Sequence, residues 1–139
     1  MLTQSTRRMS TLPNAMATPQ VETTHPTLNY PLGEHLPASG SATEVAPGIF
    51  WLRVGLPFAL NHINLWLLRD CMPHPSQAGV QQEGWTVVDC GIDNPVTREA
   101  WQQVEQQMLQ GLPILRVLVT HMHPDHMGLA HWLCERWQA

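Results

Sequence analysis

The chain has 139 residues, 43% of them hydrophobic and only 13% charged, with a formal net charge of −4. Such a length bounds one ordinary domain, and an acidic balance whose seven basic residues are all arginine argues against a polyanion-binding surface, so no nucleic-acid partner is expected. No apolar run approaches the roughly 18 residues of a membrane span, so no membrane partner is expected either. Cys71, Cys90 and Cys134 sit in no CxxC spacing, which points away from a disulfide framework and toward a reducing, cytoplasmic setting.

In chain order, residues 1–43 carry Pro13, Pro19, Pro26, Pro31 and Pro37 among many Ser and Thr, without apolar periodicity. Such a segment buries too little apolar surface to offset the entropy of ordering it. A disordered extension is expected there. Arg7 and Arg8 give its start a faint likeness to a transit peptide, but no apolar stretch follows them.

The folded body is expected over residues 44–139. Ile49 to Val54 reads as a strand behind Pro47-Gly48, and His62 to Leu68 as a second, paired with it as a hairpin. Arg69 to Gly84 reads as a polar loop. Trp85 to Val88 is a short apolar strand that stops at Asp89-Cys90-Gly91.

A punctuated helix comes next. Asn94 suits its cap, Pro95 its first position and Gly111 the left-handed residue beyond its end. Val96, Ala100, Trp101, Val104 and Met108 fall on one face at helical spacing. Ile114 to Val119 is nearly all apolar, as for a strand buried on both faces. Strand, helix, strand implies a parallel crossover and an α/β fold. A histidine-rich loop, 121–128, then leads into an amphipathic helix from Leu129 to Trp137.

That loop holds His121, His123, Asp125 and His126 in the spacing HxHxDH. Two histidines two residues apart on extended backbone point to one side, so both imidazoles can reach one metal ion. Pro124 biases His123 toward an extended conformation and partly preorganises the pair. Asp125 and His126 lie past that bend and can serve a second ion. Imidazole and carboxylate suit zinc, iron or manganese, and the spacing does not choose among them; zinc is the first expectation. The loop also follows the carboxyl end of a strand, where ligand sites of open α/β sheets gather.

Thr120-His121-Met122-His123-Pro124-Asp125-His126-Met127-Gly128 resembles the THxHxDHxG signature of the metallo-β-lactamase superfamily. Asn64 to Leu68 resembles an early strand of that family, and Val87-Val88-Asp89-Cys90-Gly91 its D-T/S-G turn, with Cys90 in the middle place. The resemblance implies an αββα sandwich of two similar halves, of which residues 44–139 are the amino-terminal one. It implies one or two divalent metal ions, with His121 and His123 on the first and Asp125 and His126 on the second. Asp125 would also orient the attacking water, and Asp89 would orient ligands from behind; taken by itself, Asp89 reads equally well as the start of a turn.

The implied activity is hydrolysis of a small (thio)ester-like substrate by a metal-activated water, as in glyoxalase II-like relatives. An iron-dependent sulfur dioxygenase and a nuclease are alternatives on the same scaffold. The family's further His, bridging Asp and last His lie well downstream of the motif, whereas this sequence stops at Ala139. The expectation is therefore a truncated piece of a longer hydrolase, inactive and weakly metal-binding by itself, and able to self-associate through an uncovered sheet face. His62 is a further residue that could line the site, while His131 is expected to face solvent and His74 to sit in a loop.

Overall fold

A computed structural model describes residues 28–139. Glu34–Ala139 form one compact unit, which leaves out the described residues 28–33. The extension expected over 1–43 lies mostly outside the described residues. From 28 to 41 the chain carries turns and no helix or strand, with Pro37 and Gly40 buried.

The unit is built from β1 (Ala42–Ala46), β2 (Ile49–Gly55), β3 (His62–Pro73), β4 (Gln81–Val88), α1 (Pro95–Gln107), β5 (Ile114–Leu118), α2 (Pro124–Met127) and α3 (Ala130–Trp137). The strands form a single sheet in the order β1-β2-β3-β4-β5. The expected hairpin is present: β2 and β3 pair antiparallel, with Arg53 opposite Asn64 and Gly55 opposite His62. Neighbouring strands are antiparallel up to β4, and β4 pairs parallel with β5 through the α1 crossover.

The stretch expected as a long loop after Leu68 is mostly ladder. β3 and β4 continue as a ribbon to the pair Pro73–Gln81, and His74 N–H donates to the Val80 carbonyl at 2.8 Å to close its tip. Backbone pairing needs no apolar side chains where both faces are wet, so hydrophobic periodicity does not register such a ribbon. β1 carries no sequence signal for a related reason: its five residues pair only with β2 and none is fully buried.

α1 follows its punctuation closely. Asn94 caps it by accepting from Thr97 N–H at 2.8 Å, Pro95 is the first helical residue, and Gly111 has φ 75°. Its buried face is Thr97, Ala100, Trp101 and Val104, whereas Val96 stays 61% exposed. Position 97 rather than 96 lies over the sheet because the heptad-like stripe begins one residue later than the apolar letters suggest.

The two sheet faces differ. On one, Leu52, Val54, Ile63, Leu65, Leu67, Trp85 and Val87 join Ala100, Trp101 and Val104 of α1 and Leu133 of α3 in the core. Trp85 buries its indole there, only 2% exposed, and donates to the Leu109 carbonyl at 3.1 Å. The other face carries Trp51, Trp66, Leu68 and Val88, all half-buried. Among the described residues no helix face is left to cover it. Asp70 of β3 binds the Thr86 hydroxyl of β4 and pairs with Arg116 of β5 at 2.7 Å, which ties three strands together on this side. β5 is not buried on both faces as expected. Only Ile114 is fully buried and Leu118 is 49% exposed, because β5 is the last strand and faces open space on one edge and one side.

Candidate metal centre

The parallel strands β4 and β5 end side by side, and the site grows from that junction. Asp89 N–H donates to the Leu118 carbonyl at 2.8 Å, extending the ladder one residue past β4. Asp89 then turns with φ 57°, a left-handed conformation that Asp tolerates better than most residues. Asp89 is 5% exposed, and its side chain points at the start of the histidine loop. Thr120 N–H donates to Oδ1 at 2.8 Å, the Thr120 hydroxyl to Oδ2 at 2.7 Å, and His126 Nδ1 lies 2.8 Å from Oδ2. Burial pushes the Asp89 carboxyl upward, but the hydrogen bonds from Thr120 and His126 together outweigh it and hold the group below the ordinary carboxylate value. Asp89 is therefore an anion at neutral pH.

This anion dictates where the imidazole protons sit. A carboxylate only accepts, so His126 carries a proton on Nδ1, and in the neutral imidazole the lone pair is then on Nε2. The single Thr120 proton also goes to Asp89, so Thr120 Oγ1 accepts from His121 Nδ1 at 3.0 Å. His121 is left with its lone pair on Nε2 as well. That nitrogen lies 3.1 Å from His123 Nδ1, and the His121 ring stands 3.7 Å from that of His126 between centroids. His121 thus stands next to each of the other two imidazoles. Asp125 is further off, its Oδ2 3.6 Å from His126 Nε2.

The loop is braced from below. Cys90 N–H donates to the His126 carbonyl at 2.8 Å, Leu129 N–H to the Gly91 carbonyl at 3.1 Å, and the Trp101 indole of α1 to the Cys90 carbonyl at 2.8 Å. Gly128 shows why the motif ends on glycine here. Its φ of −55° is ordinary, but a Cβ would lie 2.5 Å from the Pro124 carbonyl oxygen and 2.8 Å from Asp93 N. Close packing, not conformational freedom, excludes a side chain.

The metallo-beta-lactamase superfamily is the family whose sequence model matches, over residues 73–139. The segment 73–139 is thus of metallo-β-lactamase superfamily type. Its mixed α/β unit with a five-stranded sheet is similar to that of a beta-lactamase domain protein from Burkholderia ambifaria, with 58% identity and a TM-score of 0.69 over 76% of this chain and 31% of that one. A metallo-beta-lactamase family protein from Thermus thermophilus has 28% identity and a TM-score of 0.46, over 65% of this chain and 27% of its own. The chain thus spans less than a third of either solved protein. No curated protein matches it significantly.

For this superfamily motif, the residues fit a divalent ion in chemistry but only partly in arrangement. Two ligands of a tetrahedral ion at 2.0–2.1 Å stand roughly 3.3 Å apart. The 3.1 Å between His121 Nε2 and His123 Nδ1 is close to that spacing. Among the described residues, however, no three His, Cys, Asp or Glu side chains converge as a metal cage. His131 projects outward beside Glu135, and His74 lies in the β3–β4 turn. Thr120 has no expected role within the motif, yet it joins Asp89 to His121. A hydroxyl residue two positions past one parallel strand, facing an Asp directly after its neighbour, is the signal that could have revealed it.

Proposed function

We propose that this chain carries the first metal-binding segment of a metal-dependent hydrolase acting on a small ester- or thioester-like substrate. The observation that carries the reading is the buried carboxylate of Asp89, which accepts from Nδ1 of His126 directly and, through the Thr120 hydroxyl, orients Nδ1 of His121, so that Nε2 is the ligand nitrogen of each neutral ring. His121 and His123 would hold one ion, and Asp125 and His126 a second or a shared one. Zinc suits these donors best, with iron or manganese as alternatives. Such an ion, when bound, supplies Lewis acidity and lowers the pKa of a water to near neutrality. The chain's own part is to hold a ring proton on Nδ1 of His121 and His126 and to fix the orientation of those rings, through Thr120 and Asp89. Asp125 is the candidate for orienting the nucleophile. A small substrate suits the low charge of the chain, and a cytoplasmic location suits three free cysteines, one of them exposed.

Since catalytic zinc sites generally use three protein ligands and an open position, the 139-residue chain alone should bind metal weakly and turn over no thioester. Zinc titration followed by the histidine ring NMR signals tests the reading. His121, His123 and His126 should shift together, and His121→Ala/His123→Ala should abolish the response. Zinc uptake unchanged in that double variant would overturn it.

A further inference from the structure

A second polar cluster lies on the same rim of the sheet. β3 runs antiparallel to β4 and β2 antiparallel to β3, so the end of β2 and the start of β3 share an edge with the ends of β4 and β5. There an open cavity of about 250 Å3 is lined by Arg53, Asn61, His62 and Ser39 among others. Three features set it apart. Arg53 makes no ion pair among the described residues, and its buried Nε has no hydrogen-bond partner. Its lack of an ion pair contrasts with Arg69, Arg98, Arg116 and Arg136, each of which faces a carboxylate within 3.8 Å, although Arg116 Nε is likewise buried without a partner. No Asp or Glu lines the cavity. The remaining polar groups are able to donate: Asn61 Oδ1 is engaged by His62 Nδ1 at 2.8 Å, which leaves the Asn61 amide NH2 and the far edge of the His62 ring available.

A guanidinium without a carboxylate partner, on the wall of a cavity that holds no acid, is free to give charge-assisted hydrogen bonds to an oxyanion. We propose that Arg53, with Asn61 and His62, forms a binding site for a small oxyanion, the chemistry shared by a carboxylate and a phosphate monoester. β2 lies three strands from β5, roughly 14 Å at ordinary strand spacing. As a substrate subsite this rests on the hydrolase reading: an acid group held at Arg53 would let the cleavable end of an elongated substrate reach the histidine loop. As an anion site it stands independently of any metal.

The test is an NMR titration of the metal-free chain with acetate in one arm and inorganic phosphate in the other. Saturable shifts at Arg53, Asn61 and His62 are expected with at least one of them, and the stronger arm tells which source the site suits. Arg53→Gln should weaken binding about tenfold or more. Arg53→Lys should retain part of it, and Arg98→Gln, elsewhere on the surface, should leave it unchanged. His121→Ala/His123→Ala should bind the anion as the parent does, even if zinc binding is lost or was never present. Binding undiminished in Arg53→Gln with the parent's circular dichroism, lost in the double-histidine variant, or absent in both arms would each overturn the proposal.

Discussion

Asp89 is the residue on which most of the motif's geometry depends. Replacing it with Asn keeps the shape but removes the anion that accepts from Thr120 and His126. Hydrogen bonds to a charged group are worth about 1.5–3 kcal/mol each, so Asp89→Asn should lower stability by about 2 kcal/mol, read from urea unfolding. It should also release the tautomer of His126, visible as a change in the 15N shifts of the ring. Because the folded-state pKa of Asp89 is depressed, its contribution is complete above the unfolded carboxylate value and is lost as pH falls through the lower folded one. The acid limb of a stability–pH curve should therefore flatten in the variant, and an unchanged limb would contradict the arrangement. Cys90 gives a second test at this scale. Burial pushes its thiol up to about 12, so it should resist iodoacetamide at pH 8 while exposed Cys71 is alkylated. Mass spectrometry of the native protein reads the difference directly.

At the scale of elements, α1 does two tasks: it crosses from β4 to β5, and it clamps the Cys90 turn through Trp101. Its start depends on a single cap. Asn94→Ala should cost about 1 kcal/mol of stability. Val96→Ala, two residues on, should cost far less, because Val96 is 61% exposed. Equal losses in the two variants, measured by chemical unfolding, would contradict the observed face of the helix. Most of α1 was legible in the sequence, since caps, proline and glycine act on their immediate neighbours. The β3–β4 ribbon was not, since its residues are joined by backbone bonds to partners whose side chains carry no pattern.

At the scale of the compact unit, one sheet face is packed and the other is not. Trp51, Trp66, Leu68 and Val88 lie half-buried on the second face, beside the Asp70–Thr86–Arg116 cluster. Apolar surface of that kind favours association in water. Sedimentation velocity should show larger species as the concentration of the 139-residue chain rises, and Trp66→Lys should shift the distribution toward monomer with unchanged circular dichroism. A parent chain that stays monomeric at high concentration would exclude this role for the face. Asp70 is held below the ordinary carboxylate value first by the Thr86 hydroxyl and then by Cys71 N–H and Arg116. Its tie across three strands should likewise be complete above the ordinary carboxylate value and weaken as pH falls through the lower folded one.

The sequence by itself determined the strand–helix–strand order, the limits of α1 and the position of the histidine loop. These depend on periodicity, capping and turn chemistry, which act over a few residues. It also placed His121, His123, Asp125 and His126 at a strand end, because their spacing follows directly from the local backbone. Only the tertiary structure decided what those residues meet. Asp89 reaches Thr120 across 31 residues and His126 across 37, because two parallel strands end together. The same long-range pairing decided that β5 is an edge and that Arg53 and His62 share a rim with the motif. Proton positions, burial and unmatched charge depend on which distant groups are brought into hydrogen-bond reach, and that distance is set by strand order and register rather than by any local pattern.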